Sequence, residues 1–326
     1  GSASDDEMTG GSQKDTFKGG SGNDLLDGGA NDDKLYGEVG DDTLKGGLGN
    51  DLLDGGLELT YGDTANYEDR SEKVTVNLDA SGNATATVGA TESDTLVDIE
   101  NITGSTVGDD ITGNDYVNTL KGQAGNDTLK GEGGADYIDG GANDDSITGG
   151  AGADILKGET GADTFIQTAI AGDTTGDNID GGSEADTSRG SDTVDYSAFS
   201  AAAGIKVSLN DTSLSYVTIG SSVDDHTLTN IENVIGSTKN DYIIGNDEKN
   251  ILDGKGGNDY FVLGQGEDTI LGDTGTDTIA FTNTSRTLGV NVDLNKNQSY
   301  GSPDSYRVIS DGFGNAKYLD SIENVI

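Results

Sequence analysis

The chain has no cysteine and no tryptophan among its 326 residues, and proline, methionine and histidine occur once each. Without cysteine no disulfide can staple the fold, and thiolate and Fe–S chemistry are excluded. One histidine, His226, leaves too few ligands for zinc. Basic residues are also scarce: 18 Lys and Arg stand against 60 Asp and Glu, for a formal net charge of -42. Such a chain repels nucleic acid and anionic lipid, and its natural partners are cations. No apolar run is long enough to span a bilayer, so membrane insertion is not expected. No secretion signal stands at the start, where Gly1-Ser2 resembles a cloning remnant. Apolar residues are only 31% of the chain, too few for a broad, deep core. Low hydrophobicity with high charge is the composition of disordered chains. A compact state therefore needs counter-charge.

Glycine is abundant, with 53 residues, and it is periodic. It recurs every nine residues at Gly10, Gly19, Gly28, Gly37, Gly46 and Gly55. The sixth place of each unit is acidic: Asp15, Asp24, Asp33, Asp42 and Asp51. The eighth is large and apolar: Phe17, Leu26, Leu35, Leu44 and Leu53. The frame returns at Gly104, with Asp109, Asn118, Asp127, Asp136, Asp145, Asp154 and Asp163 at the sixth place. An insertion from Gln167 to Ala171 shifts it, and weaker copies carry Asp177 and Asp186. A third array starts at Gly236 and carries Asp241, Asn250, Asp259, Asp268 and Asp277. Its eighth places are Ile243, Leu252, Phe261, Ile270 and Ile279. A repeat this regular is the signature of a stacked solenoid, not of a low-complexity linker.

The residue types explain the spacing. Glycine permits a tight turn and close stacking of one turn on the next. Aspartate or asparagine supplies oxygen, which suits a hard cation such as Ca²⁺. The last three residues of a unit read as a short strand whose central apolar side chain points inward. Two units make one coil, and the fold class is all-β: parallel β-roll arrays separated by β-rich inserts. Turns two units apart then lie over each other, and their carboxylates repel unless a divalent ion lies between them. The thin core does not by itself offset the entropy of ordering the backbone. The expectation is a metal-free chain that is largely disordered and folds on binding calcium.

The units GGSGNDLLD (19–27), GGLGNDLLD (46–54) and GKGGNDYFV (254–262) resemble the RTX, or haemolysin-type, calcium-binding repeat. The resemblance covers somewhat over half of the chain. It implies a parallel β-roll, Ca²⁺ between turns, and export by a type I secretion machine. On the order of ten ions are expected, with extracellular-type affinities of about 10⁻⁴–10⁻³ M. Gln13, Asn31, Asn143 and Glu184 replace the fourth-place glycine, and Asn118 and Asn250 replace the aspartate, so sites at those turns are expected to be weaker or empty.

The segments between arrays also resemble one another. VTVNL (74–78), IKVSLN (205–210) and VNVDL (290–294) read as half-buried strands. Each is followed by a link, IENITGS (99–105), IENVIGS (231–237) or IENVI (322–326). These strands either cap each roll or extend its sheets. Link residues Glu100, Glu232 and Glu323 are equally readable as metal ligands or as structural hydrogen-bond partners. The expected division is 1–60, 104–190 and 236–281 as rolls, and 61–103, 191–235 and 282–326 as inserts. Ile326 stops where the next Gly-Ser is due, so a longer repeating protein is expected.

No nucleophile and base constellation surrounds His226, which reads as a solvated loop residue, and no catalytic residue or enzyme activity is expected. Tyr67 and Tyr196 are expected to pack over the end of a roll, and Lys18, Lys45, Lys121, Lys130 and Lys157 to solvate the strand faces. The leading expectation is a calcium-binding structural region of a large secreted bacterial surface protein, a surface-layer protein or an adhesin, located outside the cell. A carboxyl-terminal secretion module of an exoenzyme such as a lipase, protease or alginate epimerase is the alternative. Self-assembly into a lattice or a cell-surface glycan are the candidate partners besides calcium. With 12 Tyr, 6 Phe and no Trp, glycan binding by the inserts has little support in the sequence.

Overall fold

Each nonapeptide closes a turn and then runs as a strand, because its apolar eighth residue needs cover and its turn residues need the open edge. The structure is a computed structural model. It describes residues 1–57, 60–168, 175–182, 191–199, 203–209, 215–219, 222–264, 266–281, 291–293, 305–310, 317–320, 322 and 324–325. These residues form strands, turns and bends, with no helix among them. The chain divides into two compact units, Gly1–Asp163 and Thr164–Ile326.

In the first unit, one sheet stacks Leu25–Ala30 on Thr43–Leu48, and the opposite sheet stacks Thr16–Ser21, Lys34–Val39 and Leu52–Leu57, all parallel. The register places Leu26 on Leu44, Leu35 on Leu53, Leu120 on Ile138 and Leu129 on Ile147. Two nonapeptides per coil is therefore the observed geometry. Leu26, Leu35, Leu44, Leu53, Leu120, Leu129, Ile138, Ile147 and Leu156 are all 0% exposed. One side chain per strand fills the space between the sheets, which makes a core one residue thick.

In the third array the strands are the three residues the sequence suggests, as in Tyr260–Val262, but most strands of the first two arrays are longer. Leu25–Ala30 runs through Gly28, Gly29 and Ala30, the first three places of the next unit, and these pair onward as Gly29 with Gly47 and Ala30 with Leu48. A residue without a side chain still carries an N–H and a C=O, and both can join the ladder. Only places four to six remain as the turn.

The glycine places differ in purpose. At the second place the backbone takes positive φ, and there Glu38, Gln123, Glu132 and Glu159 adopt φ values of 78°, 78°, 76° and 70°. A side chain in that region costs about 1–2 kcal/mol. Glu132→Gly is therefore expected to stabilise the calcium-loaded protein by about 1 kcal/mol, read as a rise in its denaturation midpoint. Asn31 and Asn143, at the fourth place, also take positive φ, of 74° and 82°, which asparagine tolerates better than most residues.

The inserts extend the sheets. Thr64–Asn66 pairs with Thr43–Leu48 on one side and with Asn101–Thr103 on the other, and Asn101–Thr103 pairs with Thr119–Ala124. In the opposite sheet, Glu92–Val97 pairs in parallel with Leu52–Leu57, turns back antiparallel through Ala84–Val88 to Val74–Asn77, and that strand pairs in parallel with Asp110–Thr112. A three-stranded meander thus splices one array onto the next. The second unit repeats the plan: Ser222–Thr229 on Asn178–Asp180, then Ser215–Ile219, then Ile205–Ser208 on Tyr242–Ile244.

Candidate metal centre

The sixth-place side chains share one contact. Oδ1 accepts a hydrogen bond from the backbone N–H of the sixth-place residue one coil earlier. In the first unit one file runs from Asp6 to Asp24, Asp42 and Asp63, each step 2.7 Å. The other runs from Asp15 to Asp33, Asp51 and Asp94, at 2.7, 2.7 and 2.9 Å. Past the insert, the steps are Asn118 to Asp136 to Asp154 at 2.8 Å each, and Asp109 to Asp127, Asp145 and Asp163 at 2.6, 2.8 and 2.8 Å. In the second unit Asp241, Asp259 and Asp277 follow at 2.8 Å, and Asn250 donates to Asp268 at 3.0 Å. Asp177 is buried, and Asp186 lies outside the described residues, as do Glu184 and Glu323.

One carboxylate oxygen is thus used by the fold. The other is left for chemistry. Oδ2 of Asp24, Asp33, Asp42, Asp51, Asp127, Asp145 and Asp259 is buried with no hydrogen-bond donor. Burial pushes the carboxyls of Asp33 and Asp42 up, and moves Asp51 to about 6, Asp127 and Asp259 to about 7, and Asp145 to about 8. The N–H of the previous coil pulls each down, and the neighbouring carboxylate of the file pushes it up again. The unpartnered oxygen faces the first glycine of its own unit. A Cβ on Gly28 would lie 2.6 Å from Asp33 Oδ2 and 2.7 Å from the carbonyl of Gly46, one coil on. The missing side chain leaves room where carboxylate and main-chain oxygens converge.

Among the described residues no three acidic or histidine side chains meet at one point. The files explain this, since each coil brings one carboxylate to each edge. Main-chain carbonyls must supply the rest of an oxygen shell, which is the chemistry of a hard divalent cation. The residues present therefore fit Ca²⁺. An unpaired buried carboxylate is costly, and a cation offsets that cost.

Some turns are closed by the protein itself. Asp109 Oδ2 accepts from the Ser105 N–H at 2.5 Å and its Oδ1 from the Ser105 hydroxyl at 2.9 Å; Asp241 is held by Ser237 in the same way, at 2.7 and 2.8 Å. Asn118 accepts from the Asn114 N–H at 2.8 Å and donates to the carbonyl of Glu100 at 2.7 Å. Asn250 repeats this with Asn246 at 3.0 Å and the carbonyl of Glu232 at 2.8 Å. The two asparagines, at turns expected to be weaker or empty sites, thus engage both amide atoms in stitching the array to its link. Glu100 and Glu232 accept from the N–H of Asp63 and Asp192, at 2.8 and 3.0 Å, and so make the structural hydrogen bond that was one of their two readings.

At the end of the first array lies a side-chain cation. Arg70, 6% exposed, donates to the carbonyl of Gly47 and forks onto Glu92, with Nη2 2.9 Å from Oε2.

The sequence reading missed several residues of the files. Asp63, Asp94 and Asp192 occupy sixth-place positions without standing in the main frame, and Asp6 stands in it one unit before Asp15. A signal was present in Asp63-Thr64-Ala65, Asp94-Thr95-Leu96 and Asp192-Thr193-Val194, which repeat the Asp-Thr-apolar triplet of Asp42-Thr43-Leu44. His226 is a correction. It is buried in Ser222–Thr229, not a solvated loop residue, because His226-Thr227-Leu228 is a further such triplet in which Leu228 faces the core. Its Nδ1 accepts from the Asp177 N–H at 3.1 Å, the role a sixth-place carboxylate plays elsewhere. Tyr67 and Tyr196 are buried.

No curated protein matches the chain. Among solved structures it is similar to the extracellular lipase LipA from Serratia marcescens, at 17% identity over 69% of this chain and 38% of that chain, with a TM-score of 0.22. The chain thus spans 38% of the lipase's length, and at that score the likeness carries no argument. The family model for the RTX calcium-binding nonapeptide repeat (4 copies) matches residues 1–35, 27–58, 112–147, 140–166, 227–261 and 244–279, just over half of the chain. With the matched segments lying on the three arrays whose carboxylates stand in file, the chain belongs to the RTX family of calcium-binding nonapeptide-repeat proteins.

Proposed function

We propose that this chain is a calcium-folded structural region of a large secreted bacterial surface protein, of the surface-layer or adhesin kind, exported by a type I machine and assembled once it meets calcium outside the cell. The coarse part of this reading follows from family: a calcium-binding β-roll region of a type I secreted protein. One observation supports it above the others. Carboxylates stand in register one coil apart, each with one oxygen tied to the fold and, at Asp24, Asp42, Asp127, Asp145 and Asp259, the other buried without a donor. Ordering of these turns is coupled to cation binding, so calcium acts as trigger and stiffener. The metal ligands proposed are the sixth-place aspartates of the three arrays. The alternation of rolls at 1–60, 104–190 and 236–281 with inserts at 61–103, 191–235 and 282–326 is the building plan. No catalytic role enters it.

Electron microscopy of the protein with saturating calcium distinguishes the two kinds of surface protein. A surface-layer component is expected to form two-dimensional lattices that dissolve in chelator, and an adhesin segment to form stiff monomeric rods. Particles whose shape is the same with calcium and with chelator would sink both.

A further inference from the structure

Exposed aromatic and aliphatic side chains gather at one place in the first unit. Leu57, Tyr61, Tyr116 and Val117 are 69%, 81%, 62% and 61% exposed. Leu57, Tyr61, Tyr116 and Val117 line a groove of about 600 Å³ beside the first insert, together with Asp98 and Asn114. A second, polar groove of about 390 Å³ adjoins it, with Gln123, Thr103 and Lys121 in its wall. Tyr61, Gly62 and Thr119 line both. The two adjoin at Tyr61 and together make a trough. The Asn101 side chain donates to the carbonyls of Tyr61 and Gly62, at 2.8 and 3.1 Å, and so fixes the backbone that carries this ring.

The second unit contains a natural control. Asn114-Asp115-Tyr116-Val117-Asn118 corresponds there to Asn246-Asp247-Glu248-Lys249-Asn250. The turns are the same: Asn114 Oδ1 accepts from the Tyr116 N–H at 2.9 Å, and Asn246 Oδ1 from the Glu248 N–H at 3.0 Å. The fold is therefore indifferent to what stands at those two positions. An apolar pair left in solvent, in a chain with so little apolar content, has a purpose other than packing.

We infer that this trough binds an uncharged oligosaccharide. Tyrosine offers an apolar ring with a polar tip, which suits the two faces of a sugar. Asp98, Asn114, Gln123 and Thr103 add carboxylate, amide and hydroxyl groups that can pair with sugar hydroxyls. The chain's formal net charge of -42 disfavours a polyanion. The inference goes beyond the calcium reading and depends on no ion in the trough.

Calorimetry on the calcium-loaded chain with neutral cello-, xylo-, malto- and chito-oligosaccharides tests it. At least one series is expected to bind with one site per chain. The double substitution Tyr116→Glu/Val117→Lys, which copies the second unit, and Tyr61→Ala are each expected to weaken that binding by about tenfold or more. Calcium-dependent circular dichroism of the double variant should match the parent, which separates loss of the trough from loss of the roll. Absence of binding to all four series overturns the inference, as does binding that the variants leave unchanged. Loss of self-association in the double variant without any saccharide binding overturns it too, and makes the trough a contact between copies of this chain.

Discussion

Stripped of divalent cations at neutral pH, the protein is expected to lose most of its β-structure in far-ultraviolet circular dichroism, and to regain part of it on acidification to about pH 4. An aspartate in an unfolded chain titrates near about 3.9. In the roll, burial holds Asp51 at about 6, Asp127 and Asp259 at about 7, and Asp145 at about 8. Between those values the metal-free fold retains protons that the unfolded chain has released. Its stability therefore falls as pH rises from about 4 to about 8, and below about 4 the penalty vanishes because both states are protonated. A bound divalent cation favours the ionised carboxylate, so the loaded protein is expected to show the opposite slope, gaining stability with pH across the same window. Calcium binding at neutral pH should also release protons, measurable as a dependence of the calorimetric enthalpy on the buffer. A chelated chain that keeps its full β-signal at neutral pH, with no response to acid, contradicts the electrostatic account.

The second large effect is expected at Arg70. Its guanidinium is 6% exposed, pairs with Glu92 at 14%, and donates to the Gly47 carbonyl in the strand Thr43–Leu48 of the first array. Its own carbonyl accepts from the Thr106 N–H at 3.1 Å and hydroxyl at 2.9 Å, which ties the insert to the start of the second array. Removing one partner of a buried ion pair leaves the other charge without compensation, at about 3–5 kcal/mol. Arg70→Ala should lower the stability of the calcium-loaded protein by about 3 kcal/mol, seen as a lower denaturant midpoint at unchanged slope. Arg70→Lys should recover only part of this, because an ammonium cannot fork onto Glu92 and reach Gly47 together. In a double-mutant cycle with Glu92→Gln the two losses should not add. A loss within the scatter of surface substitutions would show that the pair contributes nothing. The second unit has Phe199 in the matching turn, where the Phe199 N–H bonds the Tyr196 carbonyl at 2.9 Å as the Arg70 N–H bonds that of Tyr67. There the ring packs edge-on against Tyr196 at 6.2 Å instead of supplying a cation.

Most of the roll was legible because its information is local. An aspartate two places before an apolar residue, repeated at a fixed interval, places Leu26 inward and Asp24 at the edge whatever the rest of the chain does. The inserts were legible as strands, but not as rungs. Asp63 and Asp94 sit 21 and 43 residues beyond the residues they accept from, so no fixed period finds them. His226 was misread because Asp224 and Asp225 give its surroundings a polar look, while the pairing of Leu228 with Ile179 is what buries it.

Composition and period alone determined that the chain stacks in coils of two nonapeptides, puts one apolar side chain per strand inside, and brings carboxylates close enough to need a cation. These follow from backbone geometry and charge, which act over a few residues. Only the folded molecule decided which oxygens stay unpartnered, which turns close on Ser105, Ser237, Asn118 and Asn250, and where Arg70 supplies its own positive charge. The carboxylate files, the ties of Asn118 and Asn250 to their links, and the Arg70 pair depend on partners 18 to 43 residues away, brought into register by the stacking itself.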